Sequence, residues 1–190
     1  MPQGDEATRR SLERTIRLGL ISDTHGLVRP ELYEALRGVD TILHAGDVGA
    51  EGVLEQLEVI APVCAVAGNV DVAVPNLDLP AFERVAFDGV GLLVTHYIGE
   101  VDGLLPMVGS ELSRQTAQVV VSGHTHRPLL RVHEGRLFVN PGSAGPQRYG
   151  LPASCALLSI APDRSGTQVE AKILNLDEGG VIETESLVVR

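Results

Sequence analysis

The sequence predicts an α/β fold in which two packed, mixed β-sheets are flanked by helices. In the first half of the 190 residues, short apolar runs alternate with amphipathic segments, a pattern typical of parallel strands joined by helical crossovers. In the second half, apolar runs flank Asp88-Gly89 and Glu134-Gly135, which are strong signals for β-hairpin turns. Hydrophobic residues make up 44% of the chain and charged residues 21%, as in an ordinary globular domain.

The first half is expected to contain three buried strands separated by two helices. Each strand is an apolar run ending at a turn with Gly or Asp, and the strands are expected at Ile16–Ser22, Thr41–Ala45 and Val63–Ala67. The helices are expected at Pro30–Leu36 and Val53–Val59, since proline suits the first position of a helix. Because the chain before Ile16 is polar, we expect residues 1–15 to form a flexible extension and residues 16–190 to form a single domain.

The second half is expected to contain two hairpins, one helix and three further strands. The hairpins pair Arg84–Phe87 with Gly91–Thr95, and Leu130–His133 with Leu137–Asn140. The helix is expected at Leu104–Arg114. The remaining apolar runs predict strands at Val119–Ser122, Ala156–Ile160 and Val169–Leu174.

The charge balance argues against polymeric nucleic acid as a partner. The chain has 25 acidic and 15 basic residues and a net charge of −10, so a basic face for phosphate-backbone contacts is not expected. The longest uncharged stretch, Tyr149–Pro162, contains two prolines and is too short to span a bilayer. Cys64 and Cys155 cannot form a disulfide framework and are expected to be inert core residues. We therefore expect a soluble cytoplasmic protein without a membrane partner.

Five short segments stand out because each follows an apolar run. They are Ser22–Gly26, Ala45–Val48, Ala67–Asp71, Val94–His96 and Ser122–His126. All of them fall at the ends of predicted strands, and ligands of open α/β sheets gather beyond the carboxyl ends of the strands. We therefore expect these segments to converge on one crevice.

The side chains of these segments predict a metal site. Asp23 and His25 are two residues apart, as are His124 and His126, so in extended backbone each pair can face one ion. The candidate ligands are Asp23, His25, Asp47, Asn69, His96, His124 and His126. Seven ligands are more than one tetrahedral ion can bind, and this number suits two ions bridged by a shared carboxylate. Its mixture of imidazole and carboxylate favours Mn, Fe, Co, Ni or Zn, and two ions about 3.5–4 Å apart serve phosphoryl displacement.

The order of these motifs resembles a known family. Asp-x-His, Gly-Asp, Gly-Asn, His and Gly-His-x-His follow one another as in the calcineurin-like metallophosphoesterases, above all in their short prokaryotic YfcE-type phosphodiesterase branch. The flanking strings ISDTHG, ILHAGDV, AGNVD, SGHTHRP and VNPGS are similar too. The resemblance extends from about Arg17 to Val189 and implies a four-layer αββα sandwich.

The resemblance also implies roles for the candidate ligands. It assigns the first ion to Asp23, His25 and His126, and the second to Asn69, His96 and His124. Asp47 is expected to bridge the two ions together with a hydroxide, which attacks phosphorus. The expected cofactor is a pair of divalent transition-metal ions, with Mn favoured and Fe, Ni, Co or Zn as alternatives. The residues expected to take part in catalysis are Asp47, Asn69, His124 and His126.

Two departures from the family pattern bear on the substrate. Many members have a histidine after the Gly-Asn that can protonate the leaving oxygen, whereas this chain has Val70. We therefore expect a preference for leaving groups that need little protonation, such as aryl groups. Tyr97 stands where relatives usually have glycine, and we expect it to contact the substrate, either by shaping the pocket or by packing against a base. Arg127 and Arg148 are the further candidates for substrate contact, and for both arginines contact with the phosphate and simple exposure to solvent are equally compatible with the sequence.

Other polar residues near the motifs are expected to have structural roles. We expect His44 to lie in the core or to orient a ligand, His133 to be exposed in its hairpin, and Asp71 to stabilise a turn. Two interpretations of the segment Asn140–Ser143 are equally compatible with the sequence: a simple turn at the end of a strand, or a segment that supports the site.

Three functions are compatible with the sequence. The favoured one is a phosphodiesterase that hydrolyses a small soluble phosphate ester. The alternatives are a non-catalytic metal-binding scaffold of the same fold, which the intact ligand set disfavours, and a phosphomonoesterase or nucleotidase. Assembly into a homo-oligomer stays open.

Overall fold

Two mixed β-sheets form the centre of the computed structural model, which describes residues 14–114, 116–163 and 166–189. The helices are α1 (Glu31–Ala35), α2 (Gly52–Glu58) and α3 (Pro106–Arg114). The strands of the first half are β1 (Ile16–Ile21), β2 (Thr41–His44), β3 (Val63–Ala65), β4 (Phe82–Phe87), β5 (Val90–Thr95), β6 (Gly99–Glu100) and β7 (Gly103–Leu104). The later strands are β8 (Val119–Val121), β9 (Leu129–His133), β10 (Arg136–Asn140), β11 (Ser154–Asp163), β12 (Gly166–Asn175) and β13 (Val181–Val189).

Each sheet combines a parallel centre with antiparallel flanks. The first sheet has the strand order β13-β12-β11-β1-β2-β3, and β1, β2 and β3 run parallel. The second has the order β4-β5-β8-β10-β9, and β5, β8 and β10 run parallel. The parallel strands bring their carboxyl ends to one edge of each sheet, and that edge carries the polar segments.

The core is divided into three apolar layers by the two sheets. The largest lies between the sheets, where Leu20 of β1 packs with Leu92 of β5 and Val121 of β8. A second layer lies between the first sheet and the helices α1 and α2, and a third between the second sheet and α3. Because side chains alternate along a strand, Val120 faces α3 while its neighbours face the other sheet. The predicted α/β sandwich with outer helices is thereby confirmed.

The structure differs from the predicted elements mainly after residue 98. The predicted helix Leu104–Arg114 begins at Pro106, because Leu104 pairs with Gly99 in the small β6–β7 hairpin. A long strand, β13, was not predicted; it lies at the sheet edge, is largely exposed, and therefore lacks a continuous apolar run. The predicted N-terminal extension falls almost entirely on residues 1–13, which lie outside the described part of the chain.

Among the described residues, no helix is long and apolar enough to cross a membrane.

Candidate metal centre

The seven candidate ligands lie in loops that follow strand ends at one edge of the sandwich. Asp23 and His25 follow β1, Asp47 follows β2, Asn69 follows β3, His96 follows β5, and His124 and His126 follow β8. Backbone hydrogen bonds join neighbouring loops: the N–H of Asp23 donates to the carbonyl of Gly46 over 2.9 Å, and that of Gly123 to His96 over 2.9 Å. The N–H of His124 also donates to Oδ2 of Asp23 over 3.1 Å, so the loops of both sheets form one continuous surface.

A first cluster contains Asp23, His25 and His126, whose ligand atoms lie within 4.8 Å of one another. The two Nε2 atoms of His25 and His126 are 3.2 Å apart. Nε2 of His126 is 3.1 Å from Oδ1 of Asp23, and Nε2 of His25 is 4.0 Å from the same oxygen. These are the three side chains that the family resemblance assigns to the first ion.

A second cluster contains Asp23, Asp47 and His96, again within 4.8 Å. Nε2 of His96 lies 3.5 Å from Oδ1 of Asp47. The other oxygen of Asp47 lies 3.9 Å from Nε2 of His25. Asp47 thus stands between a histidine of the first cluster and the histidine of the second.

The remaining two candidates, His124 and Asn69, lie at the rim. The exposed His124 ring makes an edge contact with His96, with 5.2 Å between the ring centroids. Asn69 is exposed in the turn after β3, directly after Gly68, which packs against Asp47. A Cβ on Gly68 would lie 2.2 Å from both the backbone nitrogen and Oδ1 of Asp47, so the turn approaches this closely only because residue 68 is glycine.

Atoms without partners indicate that the clusters suit a cation. Oδ1 of Asp23 and Nε2 of His96 are buried and have no hydrogen-bond partner within the described ranges. Nδ1 of His96 is 2.8 Å from the carbonyl of Ala45, which can only accept, so this nitrogen carries a proton and Nε2 faces the cluster. A buried polar atom without a partner is costly. Carboxylate and imidazole donors of this kind fit a divalent transition-metal ion.

Burial and neighbouring charges set the protonation of the carboxylates. Burial raises the pKa of Asp23 to about 6. Burial would raise the pKa of Asp47 as well, but the His96 imidazole and the N–H of Val70, 3.0 Å from Oδ1, lower it to about 2. Asp47 is therefore an anion throughout the neutral range.

The imidazoles of the first cluster are neutral at pH 7. Burial lowers the pKa of His25, and it lowers the pKa of His126 to about 4. The charge of Arg148, the residue before Tyr149, lowers both pKa values further. Burial would also lower the pKa of His96, but Asp47 and the Ala45 carbonyl raise it. Neutral imidazole is the form that binds metals.

The backbone is strained where it presents the ligands. Left-handed φ angles occur at Asp23 (55°), His25 (46°), Asp47 (55°), His124 (69°) and His126 (57°). Non-glycine residues rarely adopt this conformation, and it persists where the surrounding structure over-determines it, often at functional sites.

Asn140–Ser143 supports the site in addition to forming a turn. The buried side-chain amide of Asn140 donates to the carbonyl of Gly123 over 2.7 Å and to Oγ1 of Thr125 over 3.1 Å. The hydroxyl of Ser143 donates to the carbonyl of Asp23 over 3.0 Å. One segment thus holds the loops of both sheets, so the supporting role is confirmed.

The expectations for Asp71 and His44 are also confirmed. The buried carboxylate of Asp71 accepts backbone N–H groups from Val48, Gly49 and Gly68 at 2.8–3.1 Å, which fixes the two turns around Asp47. Nε2 of the fully buried His44 lies 2.9 Å from the hydroxyl of Thr24.

The two cysteines and His133 lie away from the clusters. Burial raises the pKa of Cys64, which is half-buried, and raises that of the buried Cys155 to about 12. Both thiols are therefore protonated at neutral pH, as expected for inert residues. His133 is only partly exposed, because it lies near Asp102 and Phe138.

The expected substrate residues lie on two sides of the rim. Tyr97 and Arg127 line a cleft of about 420 Å³ beside His124, and the Tyr97 ring is 4.4 Å from that of His124. Arg148 is exposed on the loop whose next residue, Tyr149, lies beside His126 of the first cluster. Sequence reasoning missed Tyr149, whose ring lies 6.0 Å from that of His126. It carries no local motif, and only the folded loop brings it to the site.

Comparison with known sequences gives the family. Residues 16–163 match the calcineurin-like phosphoesterase superfamily domain. A protein of Methanothermobacter thermautotrophicus called a probable metallophosphoesterase is 38% identical over 167 residues, which cover 83% of this chain and 91% of that protein. A protein of Methanocaldococcus jannaschii called a phosphodiesterase is 26% identical over 155 residues, covering 72% of this chain and 89% of that protein. The chain belongs to the calcineurin-like phosphoesterase superfamily.

Solved structures share the fold. Vacuolar protein sorting 29 of Cryptosporidium parvum has a TM-score of 0.74 and 21% identity, with 92% of this chain and 99% of that chain covered. YfcE, a phosphoesterase from E. coli, has a TM-score of 0.65 and 23% identity, with 90% of this chain and all of that chain covered. Similarity at these identities supports the sandwich architecture.

Proposed function

We propose that this protein is a metal-dependent phosphodiesterase that hydrolyses a small phosphate ester with two divalent transition-metal ions, Mn being the favoured metal. The observation that carries the proposal is the pair of adjacent clusters, Asp23 with His25 and His126, and Asp23 with Asp47 and His96. When bound, two such ions supply a hydroxide nucleophile near neutral pH and neutralise charge on the phosphoryl oxygens.

The chain's own groups have distinct tasks in this proposal. Asp47 joins the two clusters and stays ionised, because its pKa is lowered to about 2. Neutral His25 and His126 provide nitrogen lone pairs on one side, and Nε2 of His96 provides one on the other. Asn69 and His124, both exposed at the rim, would complete the ligand set; the His124 ring contacts that of His96, and this imidazole would also stabilise charge on the phosphoryl oxygens.

Two observations favour diester hydrolysis by an enzyme over a scaffold. A relative that is 26% identical is called a phosphodiesterase. Vacuolar protein sorting 29 has the same fold, so a scaffold is the alternative function to be compared with the enzyme. The complete set of seven candidate ligands, with the carboxylate of Asp47 between two clusters, favours the enzyme, since two adjacent ions are the arrangement that serves phosphoryl displacement.

The test is hydrolysis of bis-p-nitrophenyl phosphate and p-nitrophenyl phosphate by metal-stripped protein, with Mn, Ni, Co, Zn or Mg added back. We expect metal-dependent turnover, faster for the diester, and its loss in Asp47→Asn. Asp88→Asn is the matched control, since Asp88 is exposed in the distant β4–β5 turn. Faster monoester turnover would indicate a phosphomonoesterase. Binding of two ions without turnover of either ester would favour the scaffold.

A further inference from the structure

Two exposed tyrosine rings border the candidate metal centre, one beside each cluster. Tyr97 is 42% exposed, and its ring lies 4.4 Å from that of His124, which in turn contacts His96 of the second cluster. Tyr149 is 75% exposed, and its ring lies 6.0 Å from that of His126 of the first cluster. The chain has only 3 tyrosines, 3 phenylalanines and no tryptophan, so two aromatic rings at one site are a marked concentration.

The loop that carries Tyr149 is held from both sides by a carboxylate remote in sequence. Oδ2 of Asp177 accepts hydrogen bonds from the side chain of Gln147 over 2.6 Å and from the N–H of Ala153 over 2.8 Å. The guanidinium of Arg29 donates to Oδ1 over 2.6 Å. Asp177 thus fixes the residues just before and shortly after the tyrosine.

The backbone within this loop turns the tyrosine outward. Tyr149 and Gly150 have left-handed φ angles of 58° and 70°. The N–H of Leu151 donates to the carbonyl of Arg148 over 3.0 Å, which closes the turn. A large apolar side chain in a strained conformation, on an anchored loop and exposed to solvent, has no packing role in the fold.

The geometry points to Tyr149, with Tyr97, as a specificity-determining residue: the two rings contact planar aromatic groups of the phosphodiester substrate. This inference rests on the proposed function and names its substrate class, a diester with a flat ring such as an aryl group or a nucleobase. Each ring lies beside one cluster, so a phosphodiester held between the clusters has its two substituents within reach of aromatic faces. Offset or edge contacts between rings favour such substituents over alkyl groups.

Arg148 and Arg127 fit the same arrangement. Arg148 directly precedes Tyr149 in the sequence. Arg127 lines the cleft together with Tyr97. The charges of the two arginines attract an anionic diester, whereas the tyrosine rings discriminate between the substituents of that diester. Asp177 acts through the loop and is a positioning residue.

The experiment compares substrates that release the same leaving group. Methyl, phenyl and thymidine 5′ esters of p-nitrophenyl phosphate all release p-nitrophenolate, so the difference between them lies in the second substituent. The quantity measured is kcat/KM for the phenyl or thymidine ester divided by that for the methyl ester. Comparing this ratio between variants cancels the intrinsic reactivity of each ester.

Because p-nitrophenyl itself occupies one of the two ring contacts, we expect the ratio to fall roughly 5- to 10-fold in one of the variants Tyr149→Leu and Tyr97→Leu, and kcat/KM to fall alike for all three esters in the other. Tyr149→Phe keeps the ring and should keep the ratio. Tyr33→Leu, on α1, is the control and should change neither the ratio nor kcat/KM. Asp177→Asn should raise KM for the same esters that Tyr149→Leu affects, with kcat unchanged.

The outcomes separate this inference from the proposed function. A fall for the phenyl ester identifies an aryl preference, and a fall confined to the thymidine ester identifies a nucleobase; both support the inference. Metal-dependent turnover with the same ratio in wild type, Tyr149→Leu and Tyr97→Leu would overturn it and leave the phosphodiesterase intact. Absence of metal-dependent turnover of all three esters would overturn the proposed function itself.

Discussion

The side-chain amide of Asn140 donates a 2.7 Å hydrogen bond to the carbonyl of Gly123, the residue before His124. The same amide reaches Thr125, and its oxygen accepts the N–H of Gly142 over 3.0 Å. A buried asparagine therefore fixes the loop that carries two of the candidate ligands, His124 and His126. Groups that orient metal ligands in this way commonly matter nearly as much as the ligands.

We expect Asn140→Ala to weaken both folding and metal binding. It leaves the Gly123 carbonyl without its buried donor, which costs about 1–3 kcal/mol in the free energy of unfolding. Metal affinity should fall roughly 10- to 100-fold because the ligand loop loosens. Urea denaturation of metal-free protein and Mn titration measure the two effects. Gln56→Ala, which removes an exposed helical amide, is the control; an equal loss in both variants would contradict the supporting role.

Gly68→Ala should abolish metal-dependent turnover. The new Cβ would lie 2.2 Å from the backbone nitrogen and Oδ1 of Asp47, so the turn or the carboxylate must move. Gly109→Ala is the matched control, since a Cβ there meets nothing within 4 Å and alanine favours the helix. The measurement is hydrolysis of bis-p-nitrophenyl phosphate with Mn. Wild-type turnover by Gly68→Ala would show that the close approach is dispensable.

The candidate ligands were accessible to sequence reasoning because each lies directly after a strand. Apolar runs located β1, β2, β5 and β8, and the short polar motifs after them needed no knowledge of tertiary structure. Edge strand β13 was missed, since most of VIETESLVV is exposed and only its last residues, such as Leu187 and Val189, pack partly against the core, which leaves the apolar pattern weak. Tyr149 and Asp177 were missed for a different reason: their relation depends on hydrogen bonds between segments remote in sequence.

Metal binding should raise the thermal stability of the protein. The metal-free site holds the carboxylates of Asp23 and Asp47 near each other and leaves Oδ1 of Asp23 and Nε2 of His96 buried without a hydrogen-bond partner among the described residues, and a cation that binds only the folded state removes this cost. At about 100 times the dissociation constant, the expected increase in Tm is about 5–10 °C. Differential scanning calorimetry with and without Mn measures it. Asp47→Asn should lose most of the increase and Asp88→Asn none; a full increase in Asp47→Asn would place the ion elsewhere.

Asp177 should make a pH-dependent contribution to stability. Burial would raise the pKa of this carboxyl, but hydrogen bonds from Gln147 and Ala153 and the charge of Arg29 lower it below its usual range. A carboxyl with a lowered folded-state pKa stabilises the protein above its unfolded pKa of about 3.9, and this stabilisation disappears as pH falls through the folded value.

Asp177→Asn should therefore lower the free energy of unfolding by about 1 kcal/mol at pH 7, and the difference from wild type should shrink below about pH 4. Urea denaturation at a series of pH values measures it, with Asp88→Asn as the control. If the difference in the free energy of unfolding stayed constant down to pH 3, the substitution would destabilise the protein through its altered shape and not through the loss of the Asp177 charge.

Val70 should make the reaction sensitive to the leaving group. Its N–H donates to Oδ1 of Asp47 over 3.0 Å and its side chain is exposed beside the site, but an isopropyl group cannot protonate a departing oxygen. For diesters with leaving groups of rising pKa, we expect kcat/KM to fall steeply. Val70→His places an acid there and should raise turnover of the poorest leaving groups roughly 100-fold. Val72→His, two residues along and more exposed, should change nothing. A flat response of the wild type at a rate limited by chemistry would show that another group already donates the proton.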